Sequence, residues 1–118
     1  MRIILAITIL LNLAVYGAEE KAVTVGLIGD STVAVQSGWG PAFATRFDRR
    51  VKIVNYAKNG ATLQALSKKL DELVQLKPDY VLIQFGHNDQ KRYDTAVYSD
   101  HLRSYVERIR KSGGKAVI

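Results

Sequence analysis

Three short segments combine residue types able to do chemistry: Gly29-Asp30-Ser31-Thr32, Asn55-Tyr56-Ala57-Lys58-Asn59-Gly60-Ala61-Thr62 and Gly86-His87-Asn88-Asp89. Ser31 follows the apolar run Val23 to Ile28 directly, where the chain has to turn. A serine at such a junction can aim its hydroxyl into a crevice and its own N–H at a developing oxyanion, as a nucleophile requires. The same residue can equally cap a turn or a helix start, and the tripeptide alone favours that plainer reading. Gly29 allows close backbone approach, and Asp30 is suited to fixing the turn by hydrogen bonding rather than to reacting. Gly60, after Asn59, reads by itself as a left-handed turn residue, and Asn88 as a loop cap. His87 and Asp89 offer a base and an orienter for a compact triad, yet neighbouring side chains in one tight loop seldom converge as those roles demand. Trp39, inside Gly38-Trp39-Gly40, is a candidate ligand-lining aromatic, although a large ring beside a turn more often packs. The second histidine, His101, falls on a helix and is expected at its surface.

These segments need elements to position them, and the hydrophobic pattern supplies an alternation. Val23 to Ile28 reads as a buried strand, Ala42 to Phe47 behind Pro41 as a short helix, and Val51 to Asn55 as a second strand. Leu63, Leu66, Leu70, Leu73 and Val74 recur at three- and four-residue spacing, which predicts an amphipathic helix over Leu63 to Leu76 stopped by Lys77-Pro78-Asp79. Tyr80 to Phe85 is apolar on both faces, as a central parallel strand requires. Tyr98, Leu102, Tyr105, Val106 and Ile109 mark a further helix closed by Ser112-Gly113-Gly114, and Lys115 to Ile118 begins another apolar run. Strands alternating with helices build a parallel sheet covered on both faces, a three-layer α/β/α sandwich with right-handed crossovers. In such sheets ligands bind beyond the carboxyl ends of the strands, where all three segments fall.

In this order and at these strand ends, the segments resemble the nucleophile, glycine and Gly-x-Asn-Asp blocks of the SGNH hydrolase superfamily, the GDSL lipases and esterases. Gly38-Trp39-Gly40 and His87 further resemble its rhamnogalacturonan acetylesterase-like branch, and the likeness runs from Val23 to Ile118. The resemblance implies a flavodoxin-like sandwich and a serine esterase working without metal or cofactor. It assigns Ser31 as nucleophile and places the oxyanion hole at Ser31, Gly60 and Asn88. Asp30, His87 and Asp89 become supporting residues and Trp39 a possible substrate contact. The implied reaction removes acetyl or short acyl groups, on the narrowest reading from acetylated pectin. A lipid or thioester hydrolase on the same fold, or a non-catalytic sugar- or anion-binding domain, uses the same loops.

The sequence departs from the family pattern after Asn88, where the Asp-x-x-His that supplies the acid and base does not occur. The reading is therefore residues 19–118 as the N-terminal part of one hydrolase domain, expected to be inactive or to fold poorly by itself. Arg2, the apolar run Ile3 to Val15 and the small residues to Ala18 read as a secretory signal peptide over residues 1–18. That run is shorter than the ~20 residues a membrane span needs, so the expectation is a secreted or periplasmic protein without stable membrane insertion. The net charge of +6 comes from dispersed Lys and Arg with no aromatic-interleaved stripe, which argues against nucleic acid as a partner and is compatible with acidic polysaccharide. With no cysteine in the chain, thiolate chemistry and disulfides are excluded, and the fold rests on its hydrophobic core.

Overall fold

The computed structural model describes Gly17 and residues 20–118. Apart from Gly17, the leader read over residues 1–18 lies outside the described residues. Four strands, β1 (Val23–Gly29), β2 (Val51–Asn55), β3 (Tyr80–Gln84) and β4 (Lys115–Val117), alternate with helices α1 (Gly40–Ala44), α2 (Ser67–Gln75) and α3 (Thr95–Lys111). The sheet is parallel throughout, in the order β2-β1-β3-β4. Val25 pairs with Ile53 on one side of β1 and with Tyr80 on the other. Asp79 adds a side-chain tie, its Oδ2 accepting from Thr24 N–H at 2.8 Å.

Because strand side chains alternate faces, β1 and β3 divide their apolar residues between two cores. Ile28, Val81 and Ile83 meet Leu70 and Leu73 of α2 and Tyr105 and Ile109 of α3 on one face. Val25 and Leu27 meet Val33, with Trp39 and Phe43 packed against them, on the face that carries α1. The two covers are unequal: α2 and α3 together are long, whereas α1 has 5 residues. The chain runs outward from β1 to β2 over one face and back to β3 over the other. The loops leaving β1 and β3, which are neighbours, therefore diverge and open a crevice at the switch point of the sheet.

The sequence pattern and the structure differ at helix ends. The helix expected over Ala42 to Phe47 is Gly40–Ala44 instead, and Phe47 lies past its end, stacked edge-to-face on Phe43 at 5.0 Å. The helix expected from Leu63 begins at Ser67. Residues 63–66 form a turn, because Leu63 N–H is drawn to Asp89 Oδ1 (3.0 Å) and Ala65 N–H to Thr62 Oγ1 (3.1 Å). Both leucines of that turn stay fully buried or nearly so, which is why the apolar spacing looked helical. The last helix starts earlier than its apolar stripe, at Thr95, where the Asp94 side chain caps it by accepting from Val97 N–H at 2.9 Å. The strand expected through Phe85 ends at Gln84. His101 is half-buried rather than on the surface, stacked edge-to-face on Tyr93 at 5.2 Å with its Nδ1 buried and unpartnered among the described residues. No helix of the described residues is long and apolar enough to cross a membrane.

Candidate active site

Beyond β1 the chain enters one helical turn in which Val33 and Ala34 N–H both donate to the carbonyl of Asp30 at 3.1 Å. Asp30 is buried, and its Oδ1 accepts from Thr32 N–H (2.9 Å) and Thr32 Oγ1 (2.7 Å). It thus pins the turn, with Oδ1 committed to a backbone and a hydroxyl donor. Ser31 sits between them, half-buried at the mouth of the crevice. Neither its N–H nor its hydroxyl is hydrogen-bonded to another group among the described residues.

Gly60 lies on the loop after β2 with φ +75°, the left-handed conformation that favours glycine. An added Cβ there would meet nothing, so backbone angle rather than space accounts for the residue. Its N–H likewise makes no hydrogen bond among the described residues. The third loop is pinned to the second: Asn88 Nδ2 donates to Ala61 O at 3.0 Å, and Asp89 Oδ1 accepts from Leu63 N–H. One amide hydrogen of Asn88 is fixed in this way and the other makes no hydrogen bond among the described residues. Asp89 is fully buried, and its Oδ2 has no partner among the described residues. Tyr98, which donates to Phe85 O at 3.1 Å, has its phenol pushed above the ordinary range, first by burial and then by the charges of Asp89 and Asp30. Backbone and side chains of all three blocks therefore meet in one region.

His87 and Asp89 do not form a couple. The carboxylate turns into the core toward Leu63, whereas the imidazole is exposed, with Nε2 3.5 Å from Lys91 Nζ. The compact triad that their proximity in sequence suggested is not assembled. Trp39 packs edge-to-face on Phe43 at 5.6 Å and donates its indole N–H to Gln84 Oε1 at 2.6 Å, which locks the ring against the end of β3. The glycines around it are steric: a Cβ on Gly38 would come within 2.4 Å of Thr32 O, and one on Gly40 within 2.3 Å of Val33 O. Gly38 and Gly40 therefore press bare backbone onto the turn that carries Ser31, with the Trp39 ring between them directed to Phe43 and Gln84.

Two polar residues to which the sequence assigned no role, Ser37 and Asn55, complete the scaffold. Ser37 Oγ lies 2.9 Å from Ser31 O and 2.8 Å from Asn59 Oδ1, joining the first loop to the second. One hydroxyl hydrogen cannot serve two acceptors fully, and an Asn59 amide turned to present Nδ2 satisfies both contacts. Asn55 Nδ2 donates to Val33 O at 2.9 Å while its Oδ1 accepts from Ala57 N–H at 2.9 Å. Neither residue type carries a local signal, since each finds its role only through a partner brought close by the sheet.

Comparison with known proteins agrees with this geometry. Residues 27–118 match the model of the GDSL-like Lipase/Acylhydrolase family. The chain is 36% identical over 117 residues to the rhamnogalacturonan acetylesterase RhgT of Bacillus subtilis (strain 168), with 83% of this chain and 48% of the relative covered. It is also similar to the solved structure of TesA, at 27% identity and TM-score 0.70, covering 79% of this chain and 57% of that one. The psychrotrophic esterase EstA from Pseudoalteromonas sp. shares the fold at 23% identity and TM-score 0.68, over 80% and 57% of the two chains. The chain spans about half the length of the curated relatives it matches. A parallel sheet with its three sequence blocks gathered beyond the strand ends, together with a family match over most of its length, makes this chain a member of the GDSL-like lipase/acylhydrolase family, within the SGNH hydrolase superfamily.

Proposed function

We propose that the protein is a serine ester hydrolase that removes acetyl or other short acyl groups from carbohydrate through an acyl-Ser31 intermediate. The observation that carries the reading is the state of three donors: the N–H groups of Ser31 and Gly60 are unspent, and Asn88 is held by one amide hydrogen with the other free. Donors fixed before reaction stabilise developing charge without reorganising, which is the largest contribution in many acyl transfers. Ser31 Oγ attacks the ester carbonyl and yields its proton to a base. The tetrahedral oxyanion rests on the three donors, the C–O bond to the sugar breaks with proton return to the alcohol, and water releases the acyl group. Asp30 and Asp89 act as braces in this scheme, and His87 flanks Asn88. Trp39, held against the end of β3 by its bond to Gln84 and only half-buried, is the aromatic offered to substrate.

The base is the Asp-x-x-His histidine that the family resemblance implies, which residues 1–118 do not contain. Turnover is accordingly proposed for the enzyme that includes it and not for these residues alone. The carbohydrate substrate is supported by the 36% identical relative, a rhamnogalacturonan acetylesterase. Export to the periplasm or the exterior, on the strength of residues 1–18, would bring the enzyme to polysaccharide.

Ser31→Ala in the full-length enzyme is the direct test. Its expected effect is loss of deacetylation to background with binding of acetylated oligosaccharide retained, whereas an unchanged rate would reject Ser31 as nucleophile. Hydrolysis of long-chain nitrophenyl esters in preference to acetate would move the assignment to a lipid acyl hydrolase.

A further inference from the structure

A cavity of about 520 Å³ opens beside the Gly86 to Asp89 loop. It is walled by His87, Gln90, Tyr93, Asp94, Thr95 and Tyr98. We propose that this cavity is the subsite for the sugar ring that carries the ester, the alcohol half of the substrate. The inference rests on the esterase reading above and gives that site its second compartment.

Position is the first argument. The wall residues flank Asn88 in sequence, and the floor is the first turn of α3, which begins at the carboxyl end of β3 where ligands of a parallel sheet bind. The larger cavity of about 1020 Å³, between Glu20 to Ala22 and Asp48 to Arg50, lies at the opposite, amino-terminal end of β1 and β2. Wall chemistry is the second argument. No Leu, Ile, Val or Met lines the cavity, and its apolar surface comes mainly from the rings of Tyr93 and Tyr98 with the methyl group of Thr95. Two tyrosine rings and a set of donors and acceptors suit a pyranose, which has an apolar ring face and a polar rim.

The third argument is which groups are already committed. Tyr98 is tied to Phe85 O, Tyr93 to Gln64 and His101, and Asp94 Oδ1 to the helix cap, so the walls are held rigidly. Gln90 Oε1, Thr95 Oγ1 and Asp94 Oδ2 make no hydrogen bond among the described residues and are left for hydroxyls. A volume within the ~300–1,000 Å³ usual for small-ligand sites admits a ring with its substituents.

The experiment compares two acetate esters in the full-length enzyme, an O-acetylated methyl disaccharide and ethyl acetate. For the double variant Gln90→Ala, Thr95→Val, the ratio of kcat/KM for the sugar ester over ethyl acetate is expected to fall about tenfold. Asp94→Asn, which keeps the helix cap while removing the stronger acceptor, is expected to lower the same ratio. A ratio unchanged in both variants overturns the subsite. Wild-type enzyme that hydrolyses neither ester defeats the esterase reading instead. The subsite is then decided by amide shifts at residues 86–98 on titration with the deacetylated disaccharide, and their absence overturns it.

Discussion

Ser37 has a single hydroxyl between the carbonyl of Ser31 and the side chain of Asn59, and the residue after Asn59 is Gly60. Ser37 is thereby one tie between the loops of two proposed oxyanion donors, beside Lys58 N–H to Gly29 O at 3.0 Å and Asn55 Nδ2 to Val33 O at 2.9 Å. Ser37→Ala leaves the fold intact, since Ser37 is exposed, but removes the tie nearest Gly60 and loosens the second loop against the first. The expected outcome in the full-length enzyme is a fall in kcat of about tenfold with KM little changed, because the donors act on charge that exists only in the transition state. Asn88→Ala removes a donor outright and is expected to cost about 10²–10³ in kcat. Steady-state kinetics on one acetate ester checks both, and an effect confined to KM would place either residue in ground-state binding. The placement of Ser31, Gly60 and Asn88 in loops beyond the strand ends was legible in the sequence because motif and strand end coincide. Ser37 was not, nor was Gln84, because Ser37 meets Asn59 across 22 positions and Trp39 meets Gln84 across 45. Such partners are chosen by the sheet order, which no local pattern encodes.

Elements were legible where one physical preference acted alone. β2 falls where its β-branched run predicts, at Val51–Asn55. The start of α2 was misplaced because Leu63 and Leu66 satisfy helical spacing while buried acceptors, Asp89 Oδ1 and Thr62, claim the N–H groups of Leu63, Ala65 and Leu66. Tyr105 of α3 closes the same turn, its buried hydroxyl donating to Leu63 O at 2.5 Å. Tyr105→Phe leaves that carbonyl unpaired and is expected to destabilise by about 1–3 kcal/mol in urea titration at neutral pH. Burial, opposed only in part by Arg108, pushes the Tyr105 phenol well above its ordinary value of 10. The folded state therefore keeps a proton that the unfolded chain releases, so this stabilisation is full below about pH 10 and declines as pH rises beyond it. Tyr98 is shifted in the same direction, so the variant should show a shallower alkaline decline than the wild type without abolishing it. On the opposite face, Gly40→Ala would drive a Cβ to 2.3 Å from Val33 O and from Asn55 Nδ2. Overpacking against backbone is expected to cost about 1–3 kcal/mol, read as a lower urea midpoint at constant slope.

At the scale of the whole molecule the unequal covering of the sheet matters most. Helices α2 and α3 seal one core, whereas the other is roofed by α1 and the 30–39 segment, with Phe47 40% exposed at its margin. β4 pairs with β3 on one side only, so its outer row of N–H and C=O groups is unpaired within the sheet. Val117 and Ile118, at 44% and 76% exposure, add apolar surface to that edge. An edge strand with apolar side chains is a template for pairing with a second chain, and charge on the edge is the usual deterrent. The 118 residues expressed alone are therefore expected to self-associate with rising concentration, and Val117→Lys to suppress much of that association while β4 still pairs through its backbone. Light scattering across a concentration series separates the causes. Suppression by Val117→Lys assigns the contact to the β4 edge, whereas undiminished association moves it to the thinly roofed face, where Phe47→Ser becomes the substitution expected to relieve it.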